Sequence, residues 1–81
     1  MHETHLLNEI LIIVKQYLKD KEVKEVKRIK MKIGALKMVT PEGLQETFKI
    51  LPKDKCFNTT KLEVEIVPST ELIIEEVEIV E

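Results

Sequence analysis

Two stretches of the chain alternate between apolar and charged side chains, and this pattern constrains the fold more than any other feature. The stretch 26–34, VKRIKMKIG, is apolar at every second position from Ile29 to Ile33. The stretch 61–67, KLEVEIV, repeats the pattern with glutamate as the charged residue. A period of two residues is that of a β-strand with one face buried and the other exposed. Both stretches therefore predict half-exposed strands that need cover on one face only.

The residues before and between these strands have the period of a helix. The stretch 5–21 repeats apolar residues at spacings of three and four, which predicts an amphipathic helix with Thr4 as its N-cap. Its apolar stripe comprises Leu6, Leu7, Ile10, Leu11, Val14, Tyr17 and Leu18. A second helix is predicted to begin at Pro41 after an N-cap at Thr40 and to stop at Pro52. Its core-facing residues are Leu44, Phe48 and Leu51.

The last residues, 71–81, predict a third strand, ELIIEEVEIVE. The pair Glu75-Glu76 interrupts its alternation, which indicates a β-bulge. The connector 68–70 is short enough for an antiparallel hairpin between the last two strands. The order α-β-α-β-β predicts an α+β fold, a two-layer sandwich with two helices on one face of a small mixed sheet of about three strands.

Length and charge narrow the function classes. A chain of 81 residues predicts one domain spanning residues 1–81. The formal net charge is −2, and the basic residues between Lys15 and Lys37 are accompanied by a single aromatic residue, Tyr17, so a nucleic-acid partner is not expected. The strand lysines, Lys30 and Lys32, are instead expected to pair with glutamates of the later strands. The candidate partners are Glu63, Glu65, Glu76 and Glu78.

Two further expectations concern the cellular location of the protein and the role of its single cysteine. No apolar run approaches the ~20 residues of a membrane span, and the start lacks the pattern of a secretory signal. A cytoplasmic protein without a membrane partner is therefore expected. The single cysteine, Cys56, excludes an internal disulfide and a cysteine-only zinc site, and it is interpreted as a small loop or core residue.

The only two histidines, His2 and His5, lie in the opening MHETH. The amine of Met1, a backbone amide nitrogen and the imidazole of His2 can close adjacent chelate rings around one metal ion. Ni(II) and Cu(II) accept square-planar, nitrogen-rich arrangements of this kind. A bulky second residue is expected to keep Met1 on the chain. A second-position histidine also occurs by chance, so the spacing alone leaves both interpretations open.

His5 is weighed separately from His2. It follows His2 by three residues, a distance that one helical turn bridges. It is interpreted as an exposed residue of the first turn rather than as a supplementary metal ligand.

The opening MHE, the apolar helix and the block KIGALKMVTPEGLQETFKIL together resemble the HypA/HybF family of hydrogenase nickel-incorporation proteins. The matching positions of the block are Ile33, Gly34, Leu36, Val39, Pro41, Glu42, Leu44 and Phe48. The stretches 62–68 and 71–81 resemble the last two strands of the family. The resemblance therefore covers nearly the whole chain, in order.

This resemblance implies a nickel metallochaperone rather than an enzyme, delivering Ni(II) during maturation of nickel-iron hydrogenase. It implies a maturation GTPase and the hydrogenase large subunit as partners. The nickel ligands it implies are the His2 side chain with terminal or main-chain nitrogens of Met1 and Glu3, and the Glu3 carboxylate is a candidate for orienting them. The alternative is a metal-free protein–protein interaction domain that retains the family fold.

Two departures from the family pattern stand out. Ala35 replaces the family's glutamate after the strand glycine. The family's zinc module, with two Cys-x-x-Cys pairs, is replaced by Pro68-Ser69-Thr70, so no zinc is expected. The chain is then either a natural minimal relative or an engineered deletion. The tight connector beside an Ile- and Val-rich last strand predicts a homodimer formed by strand exchange or edge pairing.

Overall fold

A computed structural model describes residues 2–81, with side chains from Glu3 onward. The main elements are α1 (His2–Leu18), β1 (Glu25–Gly34), α2 (Pro41–Ile50), β2 (Lys61–Val67) and β3 (Leu72–Val80). Single turns of 3₁₀ helix lie at Ala35–Lys37 and Lys55–Phe57. The predicted α+β class is confirmed, with two helices and a three-stranded mixed sheet. None of the helices within residues 2–81 is long and apolar enough to cross a bilayer.

The central strand β1 supplies one wall of the core. Its inward residues Val26, Ile29, Met31 and Ile33 are completely buried, as the alternation predicts from Ile29 onward. They pack with the apolar faces of both helices and with Leu62 of β2 in a single cluster. The helices therefore cover one face of the sheet, and the charged side chains of the strands lie on the other.

The strand order is β2-β1-β3, so the predicted hairpin between the last two strands is wrong. β1 pairs in parallel with β2 and in antiparallel orientation with β3. The charges explain this arrangement. A β2–β3 hairpin would set the glutamates of one strand against those of the other, and like charges directly opposite are destabilising. A basic strand between two acidic strands avoids that repulsion.

Residues 68–70 consequently cross over the end of β1 instead of turning between neighbouring strands. They pass directly over Gly34, whose N–H donates to the carbonyl oxygen of Glu71 at 2.7 Å. A Cβ atom on Gly34 would lie 2.1 Å from the carbonyl oxygen of Ser69. Glycine is therefore required here because one backbone crosses another at close range, not because of its φ angle, which is not positive.

The predicted bulge at Glu75-Glu76 is confirmed. The register between β1 and β3 shifts between Lys30, which is opposite Glu76, and Met31, which is opposite Ile74. Glu75 is the extra residue of the bulge. Its carboxylate reaches Lys32 at 3.4 Å, so the bulge adds an ion pair on the charged face.

Arg28 is the main cation of the charged face. Its guanidinium lies 3.1 Å from Glu63 of β2, 3.2 Å from Glu76 and 3.3 Å from Glu78 of β3. The hydrogen bond to Glu63, followed by the charges of the three glutamates, raises the pKa of Arg28 above its ordinary value. The sequence predicts that Lys30 and Lys32 pair with glutamates of the later strands, and Lys30 does lie opposite Glu63 and Glu76 in register. The short ion pairs to those strands are instead made mainly by Arg28, and Lys32 reaches Glu75, which was not among the predicted partners.

The second helix begins as predicted. Thr40 is its N-cap, and its hydroxyl oxygen accepts the N–H of Gly43 at 2.9 Å. Pro41 occupies the first turn, and the predicted core residues Leu44, Phe48 and Leu51 are buried. Gln45 of this helix donates to the carbonyl oxygen of Leu62, which ties α2 to β2.

Candidate metal centre

The first helix carries the opening residues of the chain. Its buried side chains, which anchor it on the sheet, are Leu6, Leu7, Ile10, Leu11 and Val14. The helix begins at His2, so the prediction of Thr4 as N-cap is wrong: Thr4 lies inside the first turn. The helix also ends earlier than predicted, at Leu18 instead of Lys21. The extra turn at its start contacts α2.

That contact is made by Glu3. The Glu3 side chain is half-buried and lies against the first turn of α2. A Cβ atom placed on Gly43 would be 3.1 Å from Oε2 of Glu3 and 3.0 Å from the Thr40 hydroxyl oxygen. A carboxylate at a helix N-terminus is favourably placed in the field of the helix dipole. Glu3 thus links the first turn of α1 to the first turn of α2.

The main-chain nitrogens at the start of α1 have a particular chemistry. The first N–H groups of an α-helix have no acceptor within the helix, and those of His2 and Glu3 belong to this set. A metal ion can displace the proton of such an amide without breaking a helical hydrogen bond. The helix dipole also favours the negative charge that the nitrogen then carries. The fold therefore leaves main-chain nitrogens available at the predicted site.

The structure describes only part of the predicted site. Met1 and the side chain of His2 lie outside the described residues. Glu3 is described, and its side chain lies against the first turn of α2. His5 is exposed, in line with its interpretation as a surface residue of the first turn.

Elsewhere, among the side chains that the structure describes, no group of three or more His, Cys, Asp and Glu residues lies close enough to hold an ion. Cys56 is half-buried in the second 3₁₀ turn and packs against the core. Burial, followed by the charge of Asp54, raises the pKa of its thiol. A protonated thiol is a poor metal ligand, so Cys56 behaves as the small packing residue that the sequence predicts.

The sequence analysis did not predict that Glu3 contacts Gly43. The residue type at position 43 could have indicated this contact. In a capping box, Thr at the N-cap is followed three residues later by Glu or Gln. Here the third residue after Thr40 is Gly43, and the Glu3 side chain from α1 lies where a side chain of residue 43 would begin. A glycine at this position indicates that another group approaches.

Comparison with known proteins decides the family. Residues 1–79 match the family model described as "Hydrogenase/urease nickel incorporation, metallochaperone, hypA". The chain belongs to the HypA family. Its resemblance to this family, inferred from the opening MHE and the block around Gly34, is therefore confirmed.

Three curated HypA proteins are similar to the chain over most of its length. The hydrogenase maturation factor HypA of Moorella thermoacetica is 38% identical over 68 residues, which cover 84% of this chain and 60% of that protein. The HypA of Lawsonia intracellularis is 32% identical, over 84% of this chain and 58% of that protein. The HypA of Archaeoglobus fulgidus is 29% identical, over 82% and 60%. The chain thus spans about 60% of the length of these relatives. No solved structure matches it.

Proposed function

We propose that this chain binds Ni(II) at its start and delivers it during the maturation of nickel-iron hydrogenase. The family description, nickel incorporation, supports the cargo, and the names of the three relatives support the hydrogenase pathway. The observation that carries the proposal is the start of α1 at His2. It leaves main-chain nitrogens without helical acceptors next to an imidazole and, where Met1 is the first residue, a free amine.

The proposed ligands are the amine of Met1, the imidazole of His2 and main-chain nitrogens at the start of α1, including that of Glu3. Through Glu3, this turn packs against α2. These residues would hold the ion in a nitrogen-rich set of the kind that Ni(II) accepts. Held at the start of a helix, the ion would be open to ligands of an acceptor protein, which is what delivery requires.

In this function, residues 1–81 act as one nickel-binding domain without resident zinc. Its partners are then a maturation GTPase and the hydrogenase large subunit. A site at the tip of a helix suits transfer, because a partner can reach the ion without opening the core. Nickel is the cargo here and not a structural ion.

Calorimetric titration with Ni(II) tests this function. Three samples are compared: the unextended chain, the chain with two residues added before Met1, and His2→Ala. Tight binding is expected only in the first sample, because the second lacks the amine at chelating distance and the third lacks the imidazole. Similar binding in all three would contradict the proposal and favour a metal-free interaction domain. His5→Ala is the matched control, and its affinity should equal that of the unchanged chain.

Nickel affinity is expected to fall as the pH falls. The imidazole and the terminal amine must be unprotonated to coordinate, and free groups of these types titrate near pH 6.5 and 7.7–8.0. The apparent affinity should therefore decrease at least about 100-fold between pH 7.5 and 5.5. Competition with a chromophoric chelator measures it, and circular dichroism at each pH confirms that the fold persists. A flat profile would exclude both nitrogens as ligands.

A homodimer by strand exchange is also expected. β3 lies at the edge of the three-stranded sheet, next to β1. The same antiparallel pairing can form with β1 of a second copy if residues 68–70 extend away from Gly34. Light scattering at increasing protein concentration should show a rise toward twice the monomer mass. A constant monomer mass at high concentration would rule the dimer out.

A further inference from the structure

Gly43 lies in the first turn of α2, at the contact between the two helices. Its N–H donates to the hydroxyl oxygen of Thr40 at 2.9 Å. A Cβ atom at this position would lie 3.1 Å from Oε2 and 3.6 Å from Cγ of Glu3. A side chain at position 43 would therefore be crowded by the Thr40 hydroxyl and by Glu3, the residue that follows His2 in sequence.

The backbone does not require glycine here. Gly43 is helical and has no positive φ angle. Glycine inside a helix is less favourable than alanine because its backbone loses more conformational freedom on folding. The third helical position after a threonine N-cap is also the place where Glu or Gln completes a capping box. Helix propensity and capping therefore favour a larger residue at position 43, whereas the close approach of the Glu3 side chain and of the Thr40 hydroxyl favours glycine.

The contact has a consequence for the start of α1. The first turn of an isolated helix frays easily, because its N–H groups make no helical hydrogen bonds. In this protein the Glu3 side chain rests on the first turn of α2, whose end is fixed by the Thr40 cap and by buried Leu44. The main-chain nitrogens next to Glu3 are held with it.

We propose that Gly43 is a positioning residue for the nickel site: by leaving room for the Glu3 side chain, it holds the first turn of α1 in the conformation that presents its nitrogens to the ion. This inference rests on the proposed function, since it concerns the same site. Gly43 itself does not touch the ion. It acts through Glu3, at a cost in the stability of α2.

The substitutions Gly43→Ala and Gly43→Gln test this role, with two measurements on each. Thermal unfolding without metal should show equal or higher stability, because both residues are better helix formers and Gln completes the capping box. Nickel affinity should decrease in both variants. Loss of an outer group that orients metal ligands typically lowers affinity 10- to 100-fold, so about tenfold is expected for Gly43→Gln and a smaller loss for Gly43→Ala. If Gly43 had a structural role alone, its substitution would not raise thermal stability while lowering nickel affinity.

A double substitution that includes Glu3→Ala supplies the control. Glu3→Ala removes the side chain that Gly43 accommodates, so adding Gly43→Gln to Glu3→Ala should cause no further loss of affinity. Glu46→Gln introduces the same residue at an exposed position of α2 and should leave affinity unchanged. If the unextended chain binds nickel through His2 but Gly43→Gln binds equally well, the positioning role is wrong and the proposed function stands. If the unextended chain does not bind nickel, the proposed function itself fails.

Discussion

Gly34→Ala is expected to destabilise the protein strongly, although it adds a single methyl group. The added Cβ would lie 2.1 Å from the carbonyl oxygen and 2.5 Å from the carbonyl carbon of Ser69. Both are backbone atoms of the crossing connector, so they cannot turn away as a flexible side chain can. Relief requires moving residues 68–70 and breaking the hydrogen bond from Gly34 to Glu71. We expect a loss of about 3 kcal/mol or more in the free energy of unfolding, at the upper end for overpacking.

Urea denaturation measures this loss, and Gly43→Ala is its matched control. The chemical change is the same, but the new methyl group at position 43 meets only side-chain atoms, at 3.0 Å and beyond. Its stability should stay within about 1 kcal/mol of the unchanged chain. A Gly34→Ala variant as stable as the Gly43→Ala variant would show that the connector does not cross β1 at this point.

Phe57→Ala is expected to be nearly as damaging. Phe57 lies in a 3₁₀ turn between α2 and β2, yet only 1% of its surface is exposed. It is one of the largest fully buried side chains of the described residues. Truncating a buried phenylalanine to alanine costs about 3–5 kcal/mol, because burial is lost and a cavity remains. A domain of this size has a total stability of about 4–12 kcal/mol, so much of it would be removed.

The matched control for Phe57 is Ile50→Ala, which truncates another large apolar side chain. Ile50 is 83% exposed, and its removal should change stability by no more than about 0.5 kcal/mol. Urea midpoints of the two variants give the comparison directly. If Phe57→Ala were too unstable to purify, Phe57→Leu should show a smaller loss of the same sign. A loss below 1 kcal/mol in Phe57→Ala would contradict the packing described here.

The sequence predicted the features that depend on local periodicity and local chemistry. Ile29, Met31 and Ile33 alternate in β1 as expected, because alternation along a strand reports directly on its two faces. The start of α2 was equally predictable, because Thr40 and Pro41 act within one turn. The bulge beside Glu75 was visible as a break in the pattern.

The strand order and Phe57 could not be read in this way. Alternation indicates which face a residue occupies but not which strand lies beside it, and a three-residue connector suits a hairpin as well as a crossover. The strand order depends on the electrostatic repulsion between the two acidic strands and on the close backbone crossing at Gly34. Both are interactions between residues that are distant in sequence. Phe57 lies in a segment without periodicity, so its burial has no local signal.

For the candidate metal site, the sequence predicts nickel ligands in the opening MHE, which stays a prediction, and the matching family is described as one of nickel incorporation. It did not predict that α1 begins at His2 or that Glu3 packs against α2. Helix starts are set partly by tertiary contacts, and here the contact partner, Gly43, is distant in sequence. The candidate ligands are therefore adjacent in sequence, whereas the geometry of the site depends on how α1 packs against α2.

The absorption spectrum of the unextended chain loaded with one equivalent of Ni(II) tests the central claim most directly. Coordination by an amine, deprotonated amide nitrogens and an imidazole in a plane predicts a diamagnetic ion and the visible band of square-planar nickel. Adding residues before Met1 should abolish that band while leaving the circular dichroism of the fold unchanged. A paramagnetic, six-coordinate nickel spectrum that is identical with and without the added residues would contradict the account.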